Sequence, residues 1–200
     1  ATLNDVSNGR AFCGIGIGAG LEEIGISPEK PVLKLRETIE VIRNLLTGEK
    51  VTSQGATFSL DGARMARPSS SYIPIAIGTR SPQVMRLAGE IADIALVGAR
   101  NFTESTVERY KGWLAEGAER VGRNPEAIEV APRVTLCISN DSKAAISSLK
   151  RYAAHYLDIA GEHGPPIDDL RKEKIIAALE RSSGWYFDHD RFDDPELESL

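Results

Sequence analysis

Residues 73–82 read Ile73-Pro74-Ile75-Ala76-Ile77-Gly78-Thr79-Arg80-Ser81-Pro82, and this stretch decides the fold. An apolar run, a glycine-led polar stop and a Ser-Pro pair make a strand, a loop and a helix start within ten residues. Val84, Leu87, Ala88 and Ile91 then recur at spacings of three and four, so the helix carries one apolar face. Strand, glycine stop and helix together form one βα unit.

The same order repeats in both directions. Upstream, Phe12-Cys13-Gly14-Ile15-Gly16-Ile17 reads as a strand. Ser27-Pro28-Glu29 reads as the start of a helix, striped by Val32, Leu35, Ile39, Ile42 and Leu46 and stopped by Gly48. Downstream, Ile94–Val97 is a short buried strand followed by Gly98-Ala99-Arg100. A helix over about 103–122 follows, with Val107, Tyr110, Leu114, Ala118 and Val121 on one face. The fourth strand is read over 128–138. After it, Asn140-Asp141-Ser142 caps a helix bearing Ile146, Leu149, Ala153, Tyr156 and Ile159.

Two segments break the rhythm. Residues 50–68 read as a short β-hairpin inserted in a loop, and residues 166–200 as one more helix with an acidic, aromatic tail. The whole chain, 1–200, is otherwise a single α/β domain. Helices of this length between strands predict parallel strands, adjacent in chain order, with right-handed crossovers. Four such units are either an open doubly wound sheet or half of an eight-stranded barrel.

Composition narrows the function. The 200 residues are 42% hydrophobic and 26% charged, with a net charge of −5. The lysines and arginines are scattered, which excludes an electrostatic partnership with nucleic acid or an anionic membrane. Cys13 and Cys137 each lie in an apolar run and are expected to be buried, reduced thiols. No run approaches the roughly 20 apolar residues of a membrane span. The start, Ala1-Thr2-Leu3-Asn4-Asp5, has no secretory pattern, so a cytoplasmic location is expected. It reads as the end of a helix, as in a fragment or trimmed product.

The strand ends carry the candidate chemistry. Gly78 lets backbone approach a ligand, Thr79 and Ser81 offer hydroxyls, and Arg80 offers a bidentate phosphate partner. The helix start behind them aims free N–H groups at the same point; the bland alternative is a capped turn with a solvated arginine. Gly98-Ala99-Arg100-Asn101 repeats the scheme more weakly. Gly14-Ile15-Gly16-Ile17-Gly18-Ala19-Gly20 invites a dinucleotide reading, but that fingerprint runs straight into a helix and here the helix waits until about Ser27. Glycines in such a strand mark close approach by a ligand or a neighbouring chain segment. His155, His163 and His189 share no ligand spacing, and Asp188, Asp190, Asp193 and Asp194 read as a solvated tail, so no metal site is expected. No Gly-x-Ser-x-Gly elbow is present and no catalytic acid can be named.

Several motifs in order then carry a resemblance. Leu3-Asn4-Asp5-Val6-Ser7-Asn8-Gly9-Arg10 with Gly14–Gly18, Leu45-Leu46-Thr47-Gly48-Glu49, and Pro74–Pro82 running into Leu87-Ala88-Gly89-Glu90-Ile91-Ala92-Asp93 resemble the luciferase-like monooxygenase superfamily of flavin- and deazaflavin-dependent oxidoreductases. Glu116-Gly117-Ala118 and Gly122-Arg123 are similar to its methylenetetrahydromethanopterin reductase branch. The resemblance covers about residues 1–160. It implies a (β/α)8 barrel, here an incomplete one of about four βα units, with the cofactor at the C-terminal strand ends. The implied cofactor is coenzyme F-420, a deazaflavin, or FMN. Gly18, Ala19 and Gly20 would border its ring, and Gly78, Thr79, Arg80 and Ser81 would meet its tail, with Gly98 nearby.

Two functions follow as expectations. The first is an oxidoreductase, a reductase or monooxygenase, transferring hydride between the cofactor and a pterin-like or other small organic substrate. The second is a non-catalytic flavin-binding or structural partial barrel acting through oligomerisation, since the family's first three strands and its last have no counterpart here. A homo-oligomer, or else the segment after Pro166 folded over the open side, is expected, because Ile15, Val134 and Leu136 would otherwise lie on open strand edges.

Overall fold

A computed structural model describes residues 1–18, 21, 24–27, 29–98, 103–146, 148, 149, 168, 170, 173, 174 and 177. The chain separates into two compact units, Ala1–Ala99 with Thr103–Arg133, and Arg100–Phe102 with Val134–Leu200.

The first unit follows the βα rhythm. Its elements are α1 (Thr2–Val6), β1 (Cys13–Ile15), α2 (Pro31–Leu46), β2 (Val51–Gln54), β3 (Ser59–Ala63), β4 (Ile75–Thr79), α3 (Pro82–Ile91), β5 (Ile94–Val97), α4 (Glu104–Arg120) and β6 (Glu129–Pro132). Four strands form one parallel sheet in the order β1-β4-β5-β6, as the alternation predicts. β2 and β3 form a separate antiparallel pair, the hairpin read from residues 50–68. The architecture is α/β, a four-stranded parallel sheet with α2, α3 and α4 packed against it.

Burial explains the sheet. Ile75, Ala76 and Ile77 of β4 are fully buried, as a parallel strand covered on both faces requires. Against them pack Leu35 and Ile39 of α2, Val84, Met85, Leu87 and Ala88 of α3, and Tyr110, Leu114 and Ala118 of α4.

Several boundaries differ from the sequence reading, each for a local reason. α2 begins at Pro31, not near Ser27. A helix from residue 28 would put Pro31 at its fourth position, where its missing N–H deletes the first helical hydrogen bond. Lys30 instead turns the chain in a left-handed conformation (φ 46°, ψ 51°). β4 lies two residues later than expected, so Gly78 and Thr79 belong to the strand and not to the stop after it. Pro74 has no N–H for a ladder, though its carbonyl accepts from the Cys13 amide at 2.8 Å. β6 ends at Pro132, not at 138: its only neighbour among the described residues, β5, ends at Val97. On α4 the buried stripe runs through Thr106, Tyr110, Leu114, Gly117 and Ala118, whereas Val107 and Val121 are exposed. Cys13 and Cys137 are free but half-buried, not buried.

The N-terminal end of the sheet is a polar clasp. Asp93 Oδ2 accepts from the Ile75 amide at 2.8 Å, from Tyr72 Oη at 2.7 Å and from Arg43 at 3.1 Å. Burial, then the bond and charge of Asp93, push the Tyr72 phenol above its ordinary pKa. Asn4 of α1, fully buried, donates to Ser69 Oγ and Ser71 Oγ at 3.1 and 2.9 Å. On the outer helices, Glu90 pairs with Arg36 and Arg120, joining α2, α3 and α4.

In the second unit, Asp141 Oδ1 accepts from the Lys143 and Ala144 amides, capping a helical turn over 142–146. Val134, Leu136 and Ile138 are exposed. The three histidines, residues 151–160 and the acidic tail lie outside the described residues.

Candidate functional site

At the other end of the sheet the strand termini surround one cavity of about 750 Å³, within the range of small-molecule sites. The segment after β1 contributes Gly16, Ile17 and Gly18. Gly78 and Thr79 end β4, and Arg80 and Ser81 lead from it into α3. Val84 of α3, Leu96 of β5, Gly98 and Arg133 complete the lining.

Each part follows from local sequence. Gly18 takes φ 93°, a conformation that L side chains rarely adopt. A Cβ on Gly16 would lie 3.0 Å from the Gly78 carbonyl oxygen, so this glycine lets β1 and β4 close together. The glycine-rich run is thus partly a strand-to-strand contact. The dinucleotide reading fails on geometry as well, because β1 ends at Ile15 and α2 starts at Pro31.

Thr79 Oγ1 accepts from the Ser81 amide at 2.9 Å, holding the turn that starts α3. Its own proton remains to donate. Ser81 is the N-cap but caps with no side-chain hydrogen bond, and Pro82 supplies the first helical position. The Ser81 amide is taken by Thr79 and Pro82 has no N–H, so the Gln83 and Val84 amides are the ones left without a cap from Ser81 at the cavity's edge, in the field of the helix dipole. Arg80 is exposed, and its carbonyl accepts from Tyr110 Oη at 3.5 Å. The cavity therefore combines an apolar wall of Ile17, Val84 and Leu96, a backbone floor of glycines, and an electropositive end.

Of the expected residues, Gly18, Gly78, Thr79, Arg80, Ser81 and Gly98 come together here. Ala19 and Gly20 lie outside the described residues, as do Ala99, Arg100 and Asn101. Arg133 was missed. Its signal is positional, the first residue past the fourth strand, and a strand over 128–138 hides that position. Among the described residues no cluster of His, Cys, Asp and Glu could hold a metal ion, and no helix among them is long and apolar enough to cross a membrane.

The profile of the luciferase-like monooxygenase family matches residues 1–193. The chain belongs to that family. It is 36% identical over 185 residues to the 5,10-methylenetetrahydromethanopterin reductase of Methanolobus tindarius, covering 89% of this chain and 55% of that protein. It is 27% identical over 197 residues to an F-420-dependent glucose-6-phosphate dehydrogenase of Nakamurella multipartita, covering 95% and 58%. The solved coenzyme F-420 dependent tetrahydromethanopterin reductase of Methanopyrus kandleri superposes with a TM-score of 0.77 at 28% identity, covering 98% of this chain and 62% of that one. The chain thus spans about half the length of the curated relatives it matches. Its sheet is part of their (β/α)8 barrel, and its cavity lies at the strand ends where barrel enzymes keep their sites.

Proposed function

We propose that this luciferase-like chain forms the cofactor-holding part of an oxidoreductase that uses coenzyme F-420, or FMN in its place, on a pterin-like or other small organic substrate. One observation carries the reading: the cavity joins a glycine backbone floor to the uncapped start of α3 and the Arg80 guanidinium. An isoalloxazine-type ring needs a flat floor with close backbone approach, which Gly16, Gly78 and Gly98 allow. A phosphate-bearing tail needs N–H donors and positive charge, which α3, Thr79, Ser81 and Arg80 offer. The reductase named among the relatives favours a pterin substrate over a sugar phosphate.

When bound, the cofactor supplies the hydride. The chain's residues position it: Ile17, Val84 and Leu96 exclude water from one side of the ring, and the electropositive end fixes the tail, so the ring is held in one orientation toward the substrate. Residues 1–200 would act as one partial barrel domain, with 50–68 as an insertion and 166–200 as an appended segment. Two free thiols suit a reducing cytoplasm.

A homo-oligomer belongs to the same reading. Among the described residues β1 pairs only with β4, and β6 only with β5, and pairing of these edges with a second copy is how the oligomer would form.

Fluorescence titration of the purified chain with F-420 and with FMN tests the cofactor assignment. Binding is expected, and Arg80→Ala should weaken it by about 1.5–3 kcal/mol, the range for a charge-assisted bond. No binding of either cofactor by the wild type overturns the proposal.

A further inference from the structure

The turn that joins β4 to α3 is held residue by residue. The Gly98 amide donates to the Thr79 carbonyl at 3.3 Å, and the Ser81 amide donates to Thr79 Oγ1 at 2.9 Å. The Ser81 carbonyl accepts from the Met85 amide at 2.9 Å as α3 begins. Between these ties, the Arg80 carbonyl is met from a different helix: Tyr110 Oη of α4 donates to it at 3.5 Å. Tyr110 is 7% exposed and stands in the buried stripe of α4 with Thr106 and Leu114. Its ring meets Trp113 edge-on, with centroids 5.2 Å apart and planes at 72°, and the Arg109 guanidinium lies over Trp113 at 5.8 Å. Thr79, Arg80 and Ser81 line the cavity, and Tyr110 stands behind them, outside the cavity wall.

We infer that Tyr110 is a positioning residue of the candidate site: it touches no ligand, and through the Arg80 carbonyl it sets the direction in which the Arg80 side chain faces the cavity. The inference rests on the cofactor reading above and adds to it a residue behind the site. A carbonyl oxygen and the next residue's N–H belong to one rigid plane. Holding the Arg80 oxygen therefore holds the Ser81 amide against Thr79 and fixes the backbone from which the Arg80 side chain leaves. Core packing fixes the Tyr110 ring, so its hydroxyl is a rigid post and not a flexible tether. A buried phenol ordinarily finds a hydrogen-bond partner, and here that need is met by the backbone of an exposed turn. A turn set in its binding geometry before the ligand arrives loses less entropy on binding, and affinity gains by that difference. A phenylalanine at 110 fills the same space but leaves the Arg80 peptide plane free to tip.

The test is a double-mutant cycle of Tyr110→Phe and Arg80→Ala, read by cofactor titration and by amide hydrogen exchange, each protein checked for folding by a thermal melt. Tyr110→Phe should raise the dissociation constant of F-420, or of FMN if that is the cofactor bound, about 3- to 10-fold, as for one neutral hydrogen bond. In the Arg80→Ala background the same change should cost less than about twofold, because the side chain being aimed is gone. A residue that only supports the core would cost the same in both backgrounds. With no cofactor present, the Ser81 amide should exchange faster in Tyr110→Phe, while the Leu87 and Ala88 amides inside α3 keep their wild-type rates. Unchanged affinity in Tyr110→Phe, an equal loss in both backgrounds, or unchanged Ser81 exchange overturns the inference and leaves the cofactor reading standing. A wild type that binds neither cofactor overturns both.

Discussion

Gly89 of α3 and Gly117 of α4 pack backbone against backbone: a Cβ built on Gly89 would sit 3.1 Å from the Gly117 Cα and 2.8 Å from the Ala118 nitrogen. It would also meet the Leu114 carbonyl oxygen, and a Cβ on Gly117 would meet the Arg86 carbonyl oxygen. These are backbone atoms that cannot swing aside. The two helices touch at this depth because neither glycine has a side chain, and α3 carries the Ser81 terminus that faces the cavity.

Gly117→Ala is therefore expected to destabilise the fold by about 2–3 kcal/mol, the upper part of the range for overpacked sites. Ala is the better helix former, so propensity alone predicts the opposite sign. A urea melt decides between them, and a midpoint equal to or above that of the wild type refutes the close packing.

Asp93→Ala removes the acceptor shared by the Ile75 amide, Tyr72 and Arg43. A part-buried N–H at the start of β4 loses its acceptor, and Arg43, which keeps the Ile91 carbonyl, loses a half-exposed ion pair, so stability is expected to fall by about 1–3 kcal/mol. The clasp lies at the strand ends away from the cavity, so cofactor affinity of the folded protein should not change. Thermal melts and a cofactor titration on the same preparation check the two halves. Lost affinity at unchanged stability would contradict the assignment.

Glu37 ties the hairpin loop to α2. The Thr57 hydroxyl, bonded to it at 2.5 Å, and the Ala56 amide at 2.7 Å hold its carboxyl below the ordinary value of 4.5. A folded-state pKa below the unfolded one means the carboxylate stabilises the fold above pH 4.5, and that this contribution fades as pH falls through the lower folded value. Glu37→Gln should melt below the wild type at neutral pH, and the gap should close under acid. A gap that persists at pH 2 argues against this linkage.

Among the described residues β1 pairs only with β4 and β6 only with β5, and the proposed homo-oligomer would pair those edges. Light scattering across a concentration series should show dimers or larger species, and a chain that stays monodisperse and monomeric throughout removes the oligomer from the proposal.

The sequence by itself determined the parallel βα order, the inserted hairpin and most of the cavity's residues. Each rests on a local rule: an apolar run of strand length, a glycine stop, a Ser-Pro helix start. The resemblance carried by Gly14–Gly18 and Pro74–Pro82 pointed to the family that the full comparison shows. Tertiary structure decided where each element ends. β6 stops where β5 stops, because a ladder needs a partner, and the length of a neighbouring strand is not written in a strand's own residues. It also decided that Thr79, Val97 and Pro132 stand level across the sheet. Residues 18 and 35 positions apart come level only through hydrogen-bond register, and no periodicity along the chain encodes that alignment.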